Sequence, residues 1–172
     1  MGGKPVVAAS APGSESGDAR RVDQLMFAAV GYRHALTLGP VSLRAGLWVA
    51  YERNTSTQNR KLGGRFEANA YSFSRLRLRP SASASWGAAT LALSYERASR
   101  DYAARRVAEG DALANDLSSL LRAEGRYALG DGAEVGLYAL SQDVSSNQTL
   151  AHFFASKASV TQVGLLARFY AE

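Results

Sequence analysis

Apolar and polar residues alternate with period two along several stretches of the chain. The clearest stretch runs from Val41 to Glu52, where odd-numbered positions hold Val, Leu, Ala and Tyr and even-numbered positions hold mostly small or polar residues. Successive side chains of a β-strand point to opposite faces of a sheet, so this stretch predicts a strand with one apolar face. Its length matches the roughly 9–11 residues that a tilted strand needs to cross a bilayer.

The same alternation recurs and predicts further strands. It is found in the ranges 76–86, 90–96, 117–129, 133–142 and 161–169. Residues 25–38 are also strand-like, although their alternation is ambiguous around His34. Pro80 has no N–H to give to a ladder, so we expect a β-bulge in its strand. Residues 4–10 are a candidate for an additional first strand, the alternative being a disordered leader.

The predicted connections are short at one end of the strands and long at the other. Turns are indicated at 38–40, 87–88 and 130–132, and long polar loops at 53–69, 100–115 and 143–157. Bacterial outer-membrane barrels sort their turns and loops in this way. We therefore predict an all-β fold, an antiparallel up-and-down transmembrane β-barrel of about 8 strands or part of a larger barrel. In domain terms, residues 1–20 are a leader with a potential short first strand, and residues 21–172 are the barrel domain.

The predicted polar faces combine small residues with isolated arginines and glutamates. A sheet face in contact with bulk water usually carries Lys, Glu and Thr, whereas this mixture suits a crowded barrel interior. The residues predicted to face the lumen are Arg44, Glu52, Arg75, Arg77, Arg79, Glu96, Arg122, Glu124, Arg126 and Arg168. They form either an ion-pair network that fills the barrel or a selectivity lining for an anionic solute. The interior of an eight-stranded barrel holds only its own side chains, which favours the network, and a larger barrel would favour the lining.

Aromatic residues lie near the ends of the predicted strands. Amphipathic rings favour the boundary between lipid and water. The predicted interface aromatics are Tyr51, Trp86, Tyr95, Tyr127 and Phe169.

Composition and charge narrow the function classes. The formal net charge is +5, but the arginines are spread over the strands, so nucleic-acid binding is not expected. The chain has no cysteine, which excludes disulfides and thiolate metal sites. No stretch approaches the roughly 18–20 apolar residues of a spanning helix. The first residues also lack the apolar region of a signal peptide, so we expect that an export signal was removed or that the chain is a portion of a longer protein.

Catalysis is not expected. Some small outer-membrane barrels are lipid A deacylases that use a histidine–serine pair, but no serine lies near His34, and His152 lies in a predicted loop. No Gly-rich phosphate loop or metal-spaced cluster is present, so no cofactor is predicted.

Three segments carry a resemblance to a known class of proteins. Residues 32–36 (Tyr-Arg-His-Ala-Leu), 47–54 (Leu-Trp-Val-Ala-Tyr-Glu-Arg-Asn) and 143–147 (Asp-Val-Ser-Ser-Asn) resemble outer-membrane β-barrel proteins, in particular the barrel portion of proteobacterial surface and exopolysaccharide-export porins. Such barrels usually end on an aromatic residue, whereas here Phe169 and Tyr170 are followed by Ala171 and Glu172.

The resemblance implies a location in the bacterial outer membrane and a structural or porin-like transport role. The implied partners are outer-membrane lipid and lipopolysaccharide, the barrel-assembly machinery, and further barrel segments or subunits. Two alternatives stay open, namely a soluble lipocalin-like β-barrel that binds an apolar ligand and a lipid A-modifying barrel enzyme.

Overall fold

The fold is a single antiparallel sheet of seven long strands. The computed structural model describes residues 22–62, 65–107, 112–130, 132–147 and 157–169. The strands are β1 (Asp23–Leu38), β2 (Val41–Ser56), β3 (Arg60–Leu62), β4 (Arg65–Glu67), β5 (Phe73–Trp86), β6 (Ala89–Arg106), β7 (Leu113–Gly130), β8 (Ala133–Ser146) and β9 (Lys157–Phe169). The sheet order is β1-β2-β5-β6-β7-β8-β9, and β3 and β4 form a separate hairpin. The predicted all-β, antiparallel, up-and-down architecture is therefore confirmed.

The sheet is open in the described part of the chain. Its edge strands β1 and β9 do not contact each other, so the seven strands are not closed into a barrel. The candidate strand at 4–10 and the leader at 1–20 lie outside the described residues.

Two predicted tight turns are present as two-residue turns. Gly39 and Gly87 have φ of 57° and 55°, and each is followed by a residue with a negative φ. A positive φ at the first central residue alone is the pattern of type II′ turns, whose twist matches that of the flanking strands. The third turn follows Gly130, beside a register shift between β7 and β8 at Ala128 and Gly130. All three turns lie at one end of the sheet.

The strands extend further toward the other end than their apolar alternation predicts. The predicted loops begin at Arg53, Arg100 and Asp143, but β2, β6 and β8 continue to Ser56, Arg106 and Ser146. The physical reason is that a ladder is held by backbone hydrogen bonds, which do not require an apolar face. These loop boundaries were therefore wrong by several residues.

The connection between β2 and β5 contains the unpredicted hairpin β3–β4. Its strands flank Gly63-Gly64, a pair typical of hairpin turns. The connection folds back on the sheet: the backbone N–H of Arg106 donates to Glu67 Oε1 at 3.0 Å, and that of Ser56 donates to Ser72 Oγ at 2.9 Å. Ser56, Glu67 and Ser72 are buried. This end of the sheet is therefore the best packed.

The expected bulge at Pro80 is absent. Between β5 and β6 the paired residues skip Arg79 and Pro80 and then resume at Ser81 without a change of register. Toward β2, Pro80 lies opposite Leu47 in an unbroken ladder. The missing N–H thus interrupts the β5–β6 pairing locally and requires no extra residue.

The two faces of the sheet have an inverted pattern of burial compared with a protein folded in water: charged side chains are buried and large apolar side chains are exposed. On the polar face, Ala50, Glu52, Ala98 and Glu124 are at most 9% exposed. On the apolar face, large side chains are exposed, and the exposed fraction of Leu165 is 84%. No second layer covers this face in the described part of the chain, because all strand contacts are between sheet neighbours or with the β3–β4 hairpin.

The pairing of β7 with β8 depends on Gly136. A Cβ at this position would contact the backbone carbonyl oxygen of Gly125 and would lie 3.3 Å from Arg126 Cα, and backbone atoms cannot rotate away. We expect Gly136→Ala to lower the free energy of unfolding by about 1–3 kcal/mol, measured by urea unfolding of the refolded protein. Gly125→Ala is the matched control, since its Cβ would meet only Leu91 Cδ2 at 3.4 Å. Equal stability of Gly136→Ala and the unaltered chain would contradict this prediction.

Candidate functional site: the charged face of the sheet

The ten charged residues predicted to face a lumen share one face of the sheet. Strand alternation and register place them together: Glu52 lies opposite Arg75, and Ala50 lies opposite Arg77. In the same way Glu134 lies opposite Arg168 at the far edge. We call this surface the charged face. That it lines a lumen stays a prediction.

The first ion-pair cluster is centred on Glu52. Its carboxylate oxygen Oε2 lies 2.8 Å from a guanidinium nitrogen of Arg75 and 3.6 Å from one of Arg77. The guanidinium of Arg77 also lies over the ring of Trp48, 5.2 Å from its centroid. The guanidinium of Arg79 lies over the Trp48 ring as well, 4.7 Å from its centroid. Its distance to Glu96 is 4.0 Å, a looser pair. Cation–π contacts and ion pairs thus fix these arginines on the face.

The second cluster joins β7, β8 and β9. Glu124 pairs with Arg122 at 2.9 Å and with Arg126, and its side chain is only 7% exposed. Glu134 pairs with Arg126 at 3.6 Å and with Arg168 at 3.0 Å. Each carboxylate therefore bridges two guanidiniums, as a buried charge requires.

A cavity of about 680 Å³ lies between the edge of the sheet at β1 and the second cluster. Its charged lining is Arg33, Arg44, Arg122, Glu124, Arg126 and Arg168. Arg44 makes no ion pair among the described residues. Arg33 was missed by sequence reasoning because the alternation of β1 is ambiguous around His34. Its pairing with Gly46 places it on the charged face, and its Cγ lies 3.5 Å from the Cβ position of that glycine.

The predicted interface aromatics lie on the apolar face. Trp86 and Tyr127 share one cross-strand row at the turn end, and Phe169 ends β9 nearby. Tyr51 lies on β2 ten residues beyond Val41, the residue paired with Trp86. Along the strand direction, Tyr95 lies between the position of Trp86 and that of Tyr51. The structure thus brings three of the five together at one end.

The two histidines are the remaining candidates from the sequence. His34 lies opposite Ala45 on the apolar face, and His152 lies outside the described residues. Within the described ranges no three His, Asp or Glu side chains are grouped as metal ligands. The described part of the chain also holds no helix of the length and apolarity needed to cross a membrane.

Comparison with protein-family models, curated proteins and solved structures finds no match for this chain.

Proposed function

We propose that this protein is an outer-membrane β-barrel protein with a structural or porin-like transport role. The apolar face contacts lipid and lipopolysaccharide, and the charged face lines the interior. The barrel-assembly machinery inserts such proteins, and no catalysis or cofactor is part of the proposal.

The inverted burial carries this proposal. A protein in water gains stability by covering its apolar surface, at roughly 25 cal/mol per Å². Here Val163 and Leu165 are 75% and 84% exposed, while Glu52 and Glu124 are 9% and 8% exposed. A bilayer is the environment in which exposed leucine is stable and buried, paired charge lies on the opposite face.

The spacing of aromatic residues on the apolar face also supports the proposal. Ten residues along β2 separate the level of Trp86 from that of Tyr51. At about 3.4 Å per residue they span roughly 34 Å along the strand. A tilt of about 40° reduces this to roughly 26 Å along the membrane normal, close to the height of the apolar band between aromatic girdles.

The open edges require closure in a membrane. The backbone N–H and C=O groups on the outer sides of β1 and β9 have no ladder partner among the described residues. In hydrocarbon, each unpaired group costs several kcal/mol, so open edges do not occur there. We therefore propose that both edges pair with further strands, giving a barrel of about 8 strands or part of a larger barrel.

Refolding provides the test. We expect the chain, diluted from urea into detergent micelles, to acquire a β-rich circular dichroism spectrum and to migrate differently on gels before and after boiling. Closed membrane barrels resist detergent until heated, which gives this difference. A monodisperse, folded monomer in buffer without detergent would overturn the proposal.

A groove on the apolar face favours one alternative, a β-barrel that binds an apolar ligand in water. The groove has a volume of about 820 Å³, and its lining includes Leu43, Leu91, Leu93, Leu137 and Val163. This volume falls in the range of small-molecule sites. The alternative predicts a folded monomer without detergent, with the fluorescence of Trp48 or Trp86 quenched by an apolar probe.

A further inference from the structure

We propose that the cavity between β1 and the second ion-pair cluster binds a small organic solute through its phosphate or carboxylate group. We call it the arginine cavity. The inference rests on the proposed function in one respect, that the charged face lines the interior of a barrel wide enough to hold one small solute beside its own side chains.

The sheet builds the arginine cavity from two neighbouring cross-strand rows of the charged face. The first row runs from Arg33 through Gly46, Ser81 and Ser94 to Arg122. The second row runs from Ala35 through Arg44, Ser83 and Ala92 to Glu124. Arginines thus form opposite sides of the cavity, and small residues with three serine hydroxyls lie between them.

Gly46 keeps the first row open. A Cβ there would lie 2.8 Å from Ser81 Oγ and 3.5 Å from Arg33 Cγ. Because position 46 is a glycine, the stem of Arg33 and the hydroxyl of Ser81 can both lie close to it. The hydroxyl and the guanidinium are both hydrogen-bond donors for an anionic oxygen.

The charge of the lining is strongly positive. Five arginines and one glutamate line the arginine cavity. Glu124 and Glu134 together satisfy Arg122, Arg126 and Arg168. Arg33 and Arg44 have no ion pair within the described part of the chain, and both are exposed to solvent. Their guanidinium forks therefore retain the donors that bind phosphate or carboxylate in pairs.

The volume indicates the size of the solute. About 680 Å³ is within the range of sites for small organic molecules. The serine hydroxyls suit a polar solute, and the apolar part of the lining consists of alanines and one leucine, Leu93. In the proposed function the charged face is also the face turned away from lipid. The phosphate or carboxylate would therefore belong to a free solute and not to a lipid headgroup.

Binding can be measured with the protein's own tryptophan. Trp48 lies beside Arg33 and Ser81, which line one smaller cavity with it, so its fluorescence reports on this region. In a Trp86→Phe background, the refolded full chain in neutral detergent is titrated with glycerol 3-phosphate, citrate and glycerol. We expect saturable binding of the two anions and none of glycerol.

Two variants and a matched control test the site. Arg33→Gln and Arg44→Gln are each expected to weaken binding about tenfold, since hydrogen bonds to charged groups contribute roughly 1.5–3 kcal/mol. Arg97 lies opposite Leu78 on the apolar face, so Arg97→Gln removes the same charge away from the cavity and should leave affinity unchanged. The proposal would be overturned if Arg33→Gln and Arg44→Gln bound the anions as tightly as the unaltered chain, or if Arg97→Gln lost as much affinity as they do. It would also be overturned if phosphatidylglycerol bound and the free anions did not. If the variants still refold and show heat-dependent migration, such a failure concerns the anion site and leaves the proposed membrane role standing.

Discussion

Replacing Glu124 by alanine is expected to lower the free energy of unfolding by about 3 kcal/mol. The Glu124 side chain is 7% exposed and holds Arg122 and Arg126 on the charged face of β7. Without it, two neighbouring guanidiniums lose their shared carboxylate. This loss in the free energy of unfolding lies at the lower end of the range for breaking a buried ion pair, because Arg122 is half exposed and water screens part of its charge. Urea unfolding in micelles, followed by circular dichroism, measures the change.

The matched control for Glu124 is Glu96→Ala. Glu96 also lies on the charged face, but its contact with Arg79 is 4.0 Å long and more exposed. We expect a loss of no more than about 1 kcal/mol there, as for surface ion pairs. If both variants lose the same stability, the second cluster is not the stabilising network that its geometry indicates.

The long strands could be predicted from the sequence because their two faces differ in chemistry. Apart from Trp48, leucine and valine alternate with small or charged residues through the middle of β2, and this alternation fixes both strand and face. The alternation fades toward the loop end, where β6 continues through polar residues to Arg106. There the pairing depends on backbone hydrogen bonds and on the contacts of Glu67 and Ser72, which have no period in the sequence.

The ten charged candidates could be placed on one face for the same reason, but their partners could not. Pairing register decides that Arg75 lies opposite Glu52 and that Arg168 lies opposite Glu134. Arg33 required the register as well, because a glycine and a histidine obscure the alternation of β1. The closure of the sheet is not determined by alternation at all, since it depends on what pairs with β1 and β9.

The most direct test of the proposed membrane role compares two adjacent leucines in the middle of β7. Leu121 lies on the apolar face opposite Tyr95, whereas Leu120 lies on the charged face opposite Glu96. An arginine facing the middle of the bilayer costs about 2–4 kcal/mol, while an arginine beside a glutamate in the interior is stabilised. The measurement is the fraction of refolded chain that floats with phospholipid vesicles in a density gradient. We predict that Leu121→Arg greatly reduces this fraction and that Leu120→Arg leaves it close to that of the unaltered chain. Equal flotation of the two variants, or a greater loss with Leu120→Arg, would contradict the assignment of the apolar face to lipid.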